Sequence, residues 1–404
     1  MLSKQCYSAN VLMVNTDKGE KMLTNYLVNF TDEQELIREA CRELMESRSW
    51  DEYFKKCDNE HSFPHEFIQA LSELGVTKML NDPAHGGLEE NQMVTFCAAW
   101  EELQRLGGNA AGIWYSTTYP LVYRVGTPEQ IAIAEKLEES GTVKICNAAT
   151  EPGAGSDLGD LKTTYKRIGD GKIELNGVKT FITDSAYSEY MYVTCLDEET
   201  RSQYTNFFVS MSAPGVSISP LEKLGLKTNS CCEIYLDGVI VNESDMLGEE
   251  GTGFAQQKDD FNTERVISGL YSYGYALCAF EDACRYANQR VQFGKPVGTF
   301  QLNQLKIVDM KAKLTNMRHM IFEGAMQDDA GQLDFGYAAM VKWYCVKAAQ
   351  EVCDDAIQVM GGAGICGDHR VARAWRDCRA SRISGGTDEM MVITAAKKAL
   401  KDYR

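Results

Sequence analysis

The sequence predicts an α+β protein in three parts: an N-terminal helical domain, a middle antiparallel β-barrel and a C-terminal helical bundle. Two changes of periodicity predict it. Apolar residues recur at three- and four-residue steps up to about residue 140, and short β-rich runs split by turn dipeptides take over from about 144 to 248. Helical spacing returns from about 254 and lasts to Arg404. The expected domains are therefore 22–143, 144–248 and 249–404, with residues 1–21 as a disordered extension.

The first 21 residues carry no long apolar run and are not arginine-rich, so they read as neither a secretory leader nor a transit peptide. They are expected to be dispensable, with Met22 as the working start. Thr31 and Gln34 stand in capping-box spacing before an amphipathic stripe of Leu36, Ile37, Ala40, Cys41 and Leu44, which opens the first helix. Phe67, Leu71 and Leu74, then Val94, Cys97, Trp100 and Leu103, continue the helical pattern.

In the middle region three dipeptides read as hairpin turns. Asn176-Gly177 parts Ile173–Leu175 from Val178–Thr183, Pro214-Gly215 parts Phe207–Met211 from Val216–Ile218, and Asp237-Gly238 parts Ile234–Leu236 from Val239–Val241. Beyond 254, breaks near Phe293–Gly298, Asp328–Leu333, Gly361–Asp368 and Ser384–Gly386 divide four or five helices that pack as a bundle.

Composition narrows the function. At 404 residues with 44% hydrophobic and 25% charged side chains, the chain can bury a large core, and it contains no apolar run of membrane-spanning length. A net charge of -17 argues against nucleic acid, whose phosphates require a basic face. An anionic ligand would need a local basic patch. The 14 cysteines contain no C-x-x-C pair and the 5 histidines are unclustered, so no metal site is expected. So many thiols fit a reducing cytoplasm.

Chemistry gathers at four places. Thr150-Glu151-Pro152-Gly153-Ala154-Gly155-Ser156-Asp157 combines glycines and hydroxyls able to present N–H groups to a phosphate or a flavin edge. It is followed by Asn176-Gly177-Val178-Lys179 with Phe181-Ile182-Thr183, by Arg290-Val291-Gln292-Phe293-Gly294-Lys295, and by Gln358-Val359-Met360-Gly361-Gly362-Ala363-Gly364. In content and order these stretches resemble the acyl-CoA dehydrogenase family, from Met22 to Arg404. The resemblance implies the same three-part fold, FAD, an acyl-CoA or enoyl-CoA substrate, a homotetramer and an electron-transferring flavoprotein as partner. It places Asn147, Thr150, Ser156, Phe181 and Thr183 at the flavin ring and ribityl chain. Arg290, Phe293, Gln301, Gln358, Gly361 and Gly362 would hold pyrophosphate and adenosine across a subunit interface, with Thr387 and Glu389 at the nucleotide.

The implied reaction needs a carboxylate beside the substrate Cα, because a proton leaves Cα as hydride leaves Cβ. Many family members carry that glutamate just before the Gly-Thr of the loop that here reads Ile383-Ser384-Gly385-Gly386-Thr387, so its position is Gly385. Glycine cannot be a base. A minority branch supplies the carboxylate from a bundle helix, and Glu264 stands there within Phe261-Asn262-Thr263-Glu264-Arg265. On a helix Glu264 shares a face with Phe261, Ile267, Ser268 and Tyr271, an apolar strip that raises a carboxyl pKa. The resemblance gives Ser156, Phe261, Asn262 and Arg265 to the substrate, and the Gly385 backbone N–H to its thioester oxygen.

Three further stretches, Leu221–Ile234, Phe280–Gly294 and Ser384–Met390, resemble the branch of the family that acts on betainyl-CoA thioesters, whose acyl group ends in a trimethylammonium. Trp114, Tyr115, Tyr119, Tyr271 and Tyr275 are aromatic candidates for a cage around that cation. A neutral short or branched acyl group, and a non-catalytic flavin- and CoA-binding subunit, are the alternatives. Direction is open, since one acid–base group and one flavin serve oxidation and reduction alike.

Overall fold

The computed structural model describes residues 29–109, 111–140, 145–366 and 369–404, without the side chains of Trp114, Tyr115, Ser116 and Asp259. The expectations for residues 1–21 and Met22 fall outside this range. Among the described residues six α-helices come first: α1 (Asp32–Glu46), α2 (Trp50–Glu60), α3 (His65–Glu73), α4 (Gln92–Arg105), α5 (Ala111–Val125) and α6 (Pro128–Glu139). Strands β1 (Ile145–Ala148), β2 (Thr164–Gly169), β3 (Lys172–Thr183), β4 (Tyr190–Asp197), β5 (Tyr204–Ser210), β6 (Val216–Pro220), β7 (Cys231–Asn242) and β8 (Met246–Leu247) follow. The 37-residue α7 (Gly253–Gln289) leads through a small ribbon, β9 (Val291–Gln292) and β10 (Lys295–Pro296), into α8 (Gln301–Asp329) and α9 (Phe335–Met360). The chain ends with α10 (Gly362–Ile365), α11 (Arg370–Ser381) and α12 (Asp388–Lys401).

The capping box forms as expected: the Gln34 N–H donates to the Thr31 hydroxyl at 3.2 Å, and the Thr31 N–H donates to Gln34 Oε1 at 3.1 Å. The predicted stripe of α1 faces the core except at Leu36: Cys41 is buried, Ala40 is half-buried, and Ile37 and Leu44 pack against the core. Gln34, Arg38, Cys41 and Met45 face inward while Leu36 is 65% exposed. Arg38 joins the inward face because it donates to Glu102 on the buried α4 at 2.6 Å, a contact that apolar periodicity cannot register.

The sheet runs β6-β7-β3-β2-β4-β5-β8, and β1 adds to the edge of β4 that β2 also uses. It is mixed rather than wholly antiparallel: β1 and β2 both run parallel to β4, at Tyr190–Val193 and Leu196–Asp197 respectively. Two predicted turns are also corrected. β3 passes straight through Asn176-Gly177 and β7 through Asp237-Gly238, with a break in ladder register where they cross. The Gly238 N–H donates to Asn176 Oδ1 at 2.8 Å, so the two dipeptides meet as one bulged corner. Gly177 serves close approach there, since a Cβ would stand 2.6 Å from Thr163 Cα. Pro214-Gly215 does turn the chain between β5 and β6, but β6 then pairs with β7.

One hydrophobic core joins the early and late helices, with Trp100 and Leu103 of α4 in the same cluster as Tyr273 of α7 and Phe322 of α8. Glu101 stitches these helices internally, accepting from the Arg318 guanidinium and, at 2.9 Å, from the Tyr273 hydroxyl. A second core lies on the sheet, around Ile173, Leu175, Phe207 and Ile234. No helix among the described residues is long and apolar enough to cross a membrane.

Candidate active site

α7 is the axis of the site, packed against α9, α4, α8, α11 and α5. Asp260, Thr263, Glu264 and Ile267 recur at three- and four-residue steps, so one face of α7 turns them into a cavity of about 320 Å³. The loop before α4 and its first turn supply Glu89, Glu90, Asn91, Gln92 and Met93; α5 supplies Thr117, Pro120 and Arg124; the end of α8 supplies Asp328 and Asp329. Six carboxylates (Glu89, Glu90, Asp260, Glu264, Asp328 and Asp329) thus face a wall with one guanidinium, Arg124. That guanidinium is already engaged, donating to Asp260 at 2.7 Å.

Several of these carboxylates have a local reason for their place. Asp329 caps α4 from another helix, accepting the N–H groups of Met93 at 2.7 Å and Val94 at 3.0 Å, where Asn91 offers no side-chain cap. Asp328 accepts from the Thr263 hydroxyl at 3.1 Å, and burial pushes its carboxyl up to about 6, reinforced by Asp329. Glu264 lies half-buried in the cavity wall. Burial and then the neighbouring Asp260 push it up to about 7, against the pull of Arg265 and Lys342. A carboxyl poised there can accept or deliver a proton near neutral pH.

One turn along α7 from Glu264, the buried Ser268 meets the loop 384–386. A Cβ at Gly385 would stand 3.6 Å from the Ser268 hydroxyl oxygen and 3.8 Å from Lys342 Nζ, and Gly385 has φ +62°. Lys342, 1% exposed on α9, donates to the carbonyls of Ser384 and Gly386. Sequence reasoning missed Lys342 and the acidic wall because no short motif holds them; helices far apart in the chain bring them together. Beside Glu264, Arg265 donates to Asn262 Oδ1 at 3.0 Å, its Nε is buried without a partner, and Phe261 is half-buried.

Three of the five aromatic candidates for a cation cage are not at this cavity. Tyr119, Tyr271 and Tyr275 are buried in the main core, and the described lining contains none of them. Large aromatic rings at helical spacing here fill the interior instead. The side chains of Trp114 and Tyr115 lie outside the described residues.

The residues assigned to FAD divide into two groups. In the first, Phe181 and Thr183 are exposed on β3, and Phe181 holds the left-handed backbone, φ +57°, with its ring 66% exposed. Ser156 is exposed and Thr150 half-buried, its carbonyl accepting from the Thr180 N–H at 2.9 Å. Asn147 is half-buried and its amide exchanges hydrogen bonds with Gln257 at 3.0 and 2.9 Å. In the second group, Phe293 is 94% exposed at φ +52°, Arg290 and Gln301 are exposed beside it, and Gln358, Gly361 and Gly362 are exposed at the end of α9. A Cβ on Gly361, at φ +60°, would meet nothing within 4 Å. Thr387 caps α12, and Glu389 is exposed in its first turn. Open aromatic faces on constrained backbone and an uncovered glycine cradle fit a planar, phosphate-bearing cofactor. The 26 residue steps along α7 from Glu264 to Arg290 nevertheless put about 39 Å of helix between them. The structure therefore does not bring Arg290, Phe293 and Gln301 to Glu264 within one chain.

Three domain families match the chain in order. The chain matches the acyl-CoA dehydrogenase N-terminal domain over residues 31–133, the middle domain over 146–239 and the C-terminal domain over 251–400. Butyryl-CoA dehydrogenase from Megasphaera elsdenii superposes with a TM-score of 0.85 at 28% identity, covering 92% of this chain and 99% of that one. A glutaryl-coenzyme A dehydrogenase in complex with glutaryl-CoA gives 0.86 at 26%, covering 93% and 96%. A chain from the electron-transferring flavoprotein structure of Acidaminococcus fermentans, solved towards a mechanism of flavin-based electron bifurcation, gives 0.85 at 26%, covering 92% and 99%. With all three domains matched in order around a half-buried carboxyl and open aromatic and glycine surfaces, the chain belongs to the acyl-CoA dehydrogenase family of FAD-dependent oxidoreductases acting on CH–CH bonds.

Proposed function

We propose that this enzyme interconverts γ-butyrobetainyl-CoA and crotonobetainyl-CoA, with Glu264 as its acid–base group, in the manner of the crotonobetainyl-CoA reductases that its 221–234, 280–294 and 384–390 stretches resemble. The observation that carries the acyl group is the acidic wall of the cavity holding Glu264. A trimethylammonium has no N–H to donate, so a site recognises it through diffuse charge, and carboxylates supply that where the aromatic core does not. The Megasphaera relative is named for butyryl-CoA, which shares the four-carbon chain without the charge.

Bound FAD supplies the hydride acceptor for oxidation and the hydride donor for reduction. Phe181, Thr183, Thr150 and Ser156 would flank its ring, and Arg290, Phe293, Gln301, Gln358, Gly361, Gly362, Thr387 and Glu389 its nucleotide, with the Arg290 group donated by a neighbouring subunit. The long separation along α7 and the exposed Leu302, Leu305 and Val308 on α8 support a homotetramer. In the oxidative sense a Glu264 carboxylate oxygen takes a proton from Cα; in the reductive sense it returns one. Asn262 and Arg265 orient the CoA, Ser156 and Phe261 border the acyl thioester, and the Gly385 N–H donates to the thioester oxygen. The Acidaminococcus match supports an electron-transferring flavoprotein as the redox partner.

Anaerobic titration of the purified holoenzyme with γ-butyrobetainyl-CoA tests this reading through flavin absorbance. Bleaching at lower concentration than with butyryl-CoA is expected. An equal or stronger response to butyryl-CoA overturns the assignment of a cationic acyl group.

A further inference from the structure

We propose that Lys342 is a positioning and polarising residue for the thioester: by donating to the Ser384 carbonyl it strengthens the adjoining Gly385 N–H as a donor to the thioester oxygen. The inference rests on the reading above that Gly385 meets that oxygen, and it adds a residue from a different helix to the site.

The peptide group between Ser384 and Gly385 carries both ends of the relay. Its carbonyl accepts from the Lys342 ammonium. Its N–H belongs to Gly385 and has no acceptor among the described residues. A charged donor on the carbonyl draws electron density from the nitrogen, so a hydrogen bond accepted at one end strengthens the one donated at the other. The second Lys342 bond, to the Gly386 carbonyl, fixes the next peptide and holds Gly385 at φ +62°. The ammonium lies 3.8 Å from where a Gly385 Cβ would stand, placing its charge behind the position where enolate charge develops.

A buried lysine demands such a role. Lys342 is 1% exposed, and burial lowers it to about 8. Asp388 on α12 and Glu264 on α7 favour its charge, and Arg265 on α7 opposes it. Neither carboxylate is within ion-pair distance, so backbone carbonyls are its main partners. A lysine spent only on loop architecture could be replaced by a neutral donor without electronic consequence.

The test is difference infrared spectroscopy of butyryl-CoA, 13C-labelled at the thioester carbonyl, bound to oxidised holoenzyme in a Glu264→Gln background that prevents turnover. The butyryl group isolates the thioester from the acidic end of the cavity. The expected carbonyl band lies below its solution frequency, moves back toward it in Lys342→Met, and is retained less fully in Lys342→Gln. Flavin content and tetramer state report folding. Raising the pH without changing Lys342 should produce the same shift with a midpoint near or below 8, a readout available even if both variants fail to fold. A band that moves with neither substitution nor pH overturns the role of Lys342. A band at the solution frequency from the start overturns the Gly385 donor as well, and the Glu264 reading is untouched by either result.

Discussion

Gly385 stands against Ser268, one helical turn from Glu264, so that a Cβ there would lie 3.6 Å from the Ser268 hydroxyl oxygen. The loop position that carries the base in many relatives and the helix position that carries a carboxyl here therefore border the same space. Moving the carboxylate, as Glu264→Gly with Gly385→Glu, should restore part of the activity that Glu264→Gly alone removes. Rescue is incomplete for two reasons. Gly385 occupies the left-handed region, which costs a glutamate about 1 kcal/mol or more, and Lys342 Nζ stands 3.8 Å from the new Cβ, favouring the ionised form. Steady-state turnover of the two variants checks this, and a double variant no faster than the single contradicts it.

Asp328 is the carboxylate best placed to test charge recognition, since its partner in the cavity is a hydroxyl, that of Thr263. A unit charge several ångströms from a cation in a partly screened site is worth about 1–3 kcal/mol. Asp328→Asn should raise KM for γ-butyrobetainyl-CoA by about 10-fold or more and leave KM for butyryl-CoA nearly unchanged. Equal effects on both substrates would show that the residue acts on folding or packing alone.

The raised carboxyl of Glu264 sets the sign of two pH profiles. In oxidation the base must be ionised, so kcat/KM rises as pH passes about 7; in reduction the acid must be protonated, so kcat/KM falls over the same interval. Stability follows the same group. From an ordinary 4.5 to about 7 the folded chain retains a proton that the unfolded chain has lost, so Glu264 costs stability increasingly as pH rises through this window. Glu264→Gln should be more stable than wild type by roughly 3 kcal/mol at pH 8 and nearly equal to it below 4.5, measured by denaturation of the holoenzyme. A gap independent of pH contradicts the raised value.

The outer face of α8 leaves Leu302, Leu305 and Val308 between 66% and 78% exposed. A Leu305→Asp, Val308→Asp variant should dissociate to smaller species and lose FAD, because the Arg290 and Phe293 group would no longer reach a neighbour. Light scattering with flavin absorbance reads both, and a dissociated protein that keeps its full flavin complement argues against a shared site.

Much of the fold was legible because helices and strands write their periods locally. The change near residue 144, the capping box at Thr31 and the breaks between the bundle helices all follow from short-range pattern. Asn176-Gly177 and Asp237-Gly238 misled for a physical reason: glycine licenses a bulge as readily as a turn, and only the pairing of β3 with β7 distinguishes them. The burial of Arg38 was not legible, because it depends on an ion pair with Glu102 of a distant helix. At the site, Glu264 could be found from Gly385 and the family pattern. Lys342, Asp328 and Glu90 could not, since they come from separate helices and loops and acquire meaning only at the cavity and the loop they surround.

The most direct measurement is anaerobic stopped-flow absorbance of the flavin in wild type and Glu264→Gln. The amide keeps the size of the side chain but removes the transferable proton, so FAD and acyl-CoA should still bind while flavin reduction by saturated acyl-CoA slows by roughly 100-fold or more. Flavin reduction in Glu264→Gln at a near wild-type rate would contradict the assignment of Glu264 as the acid–base group.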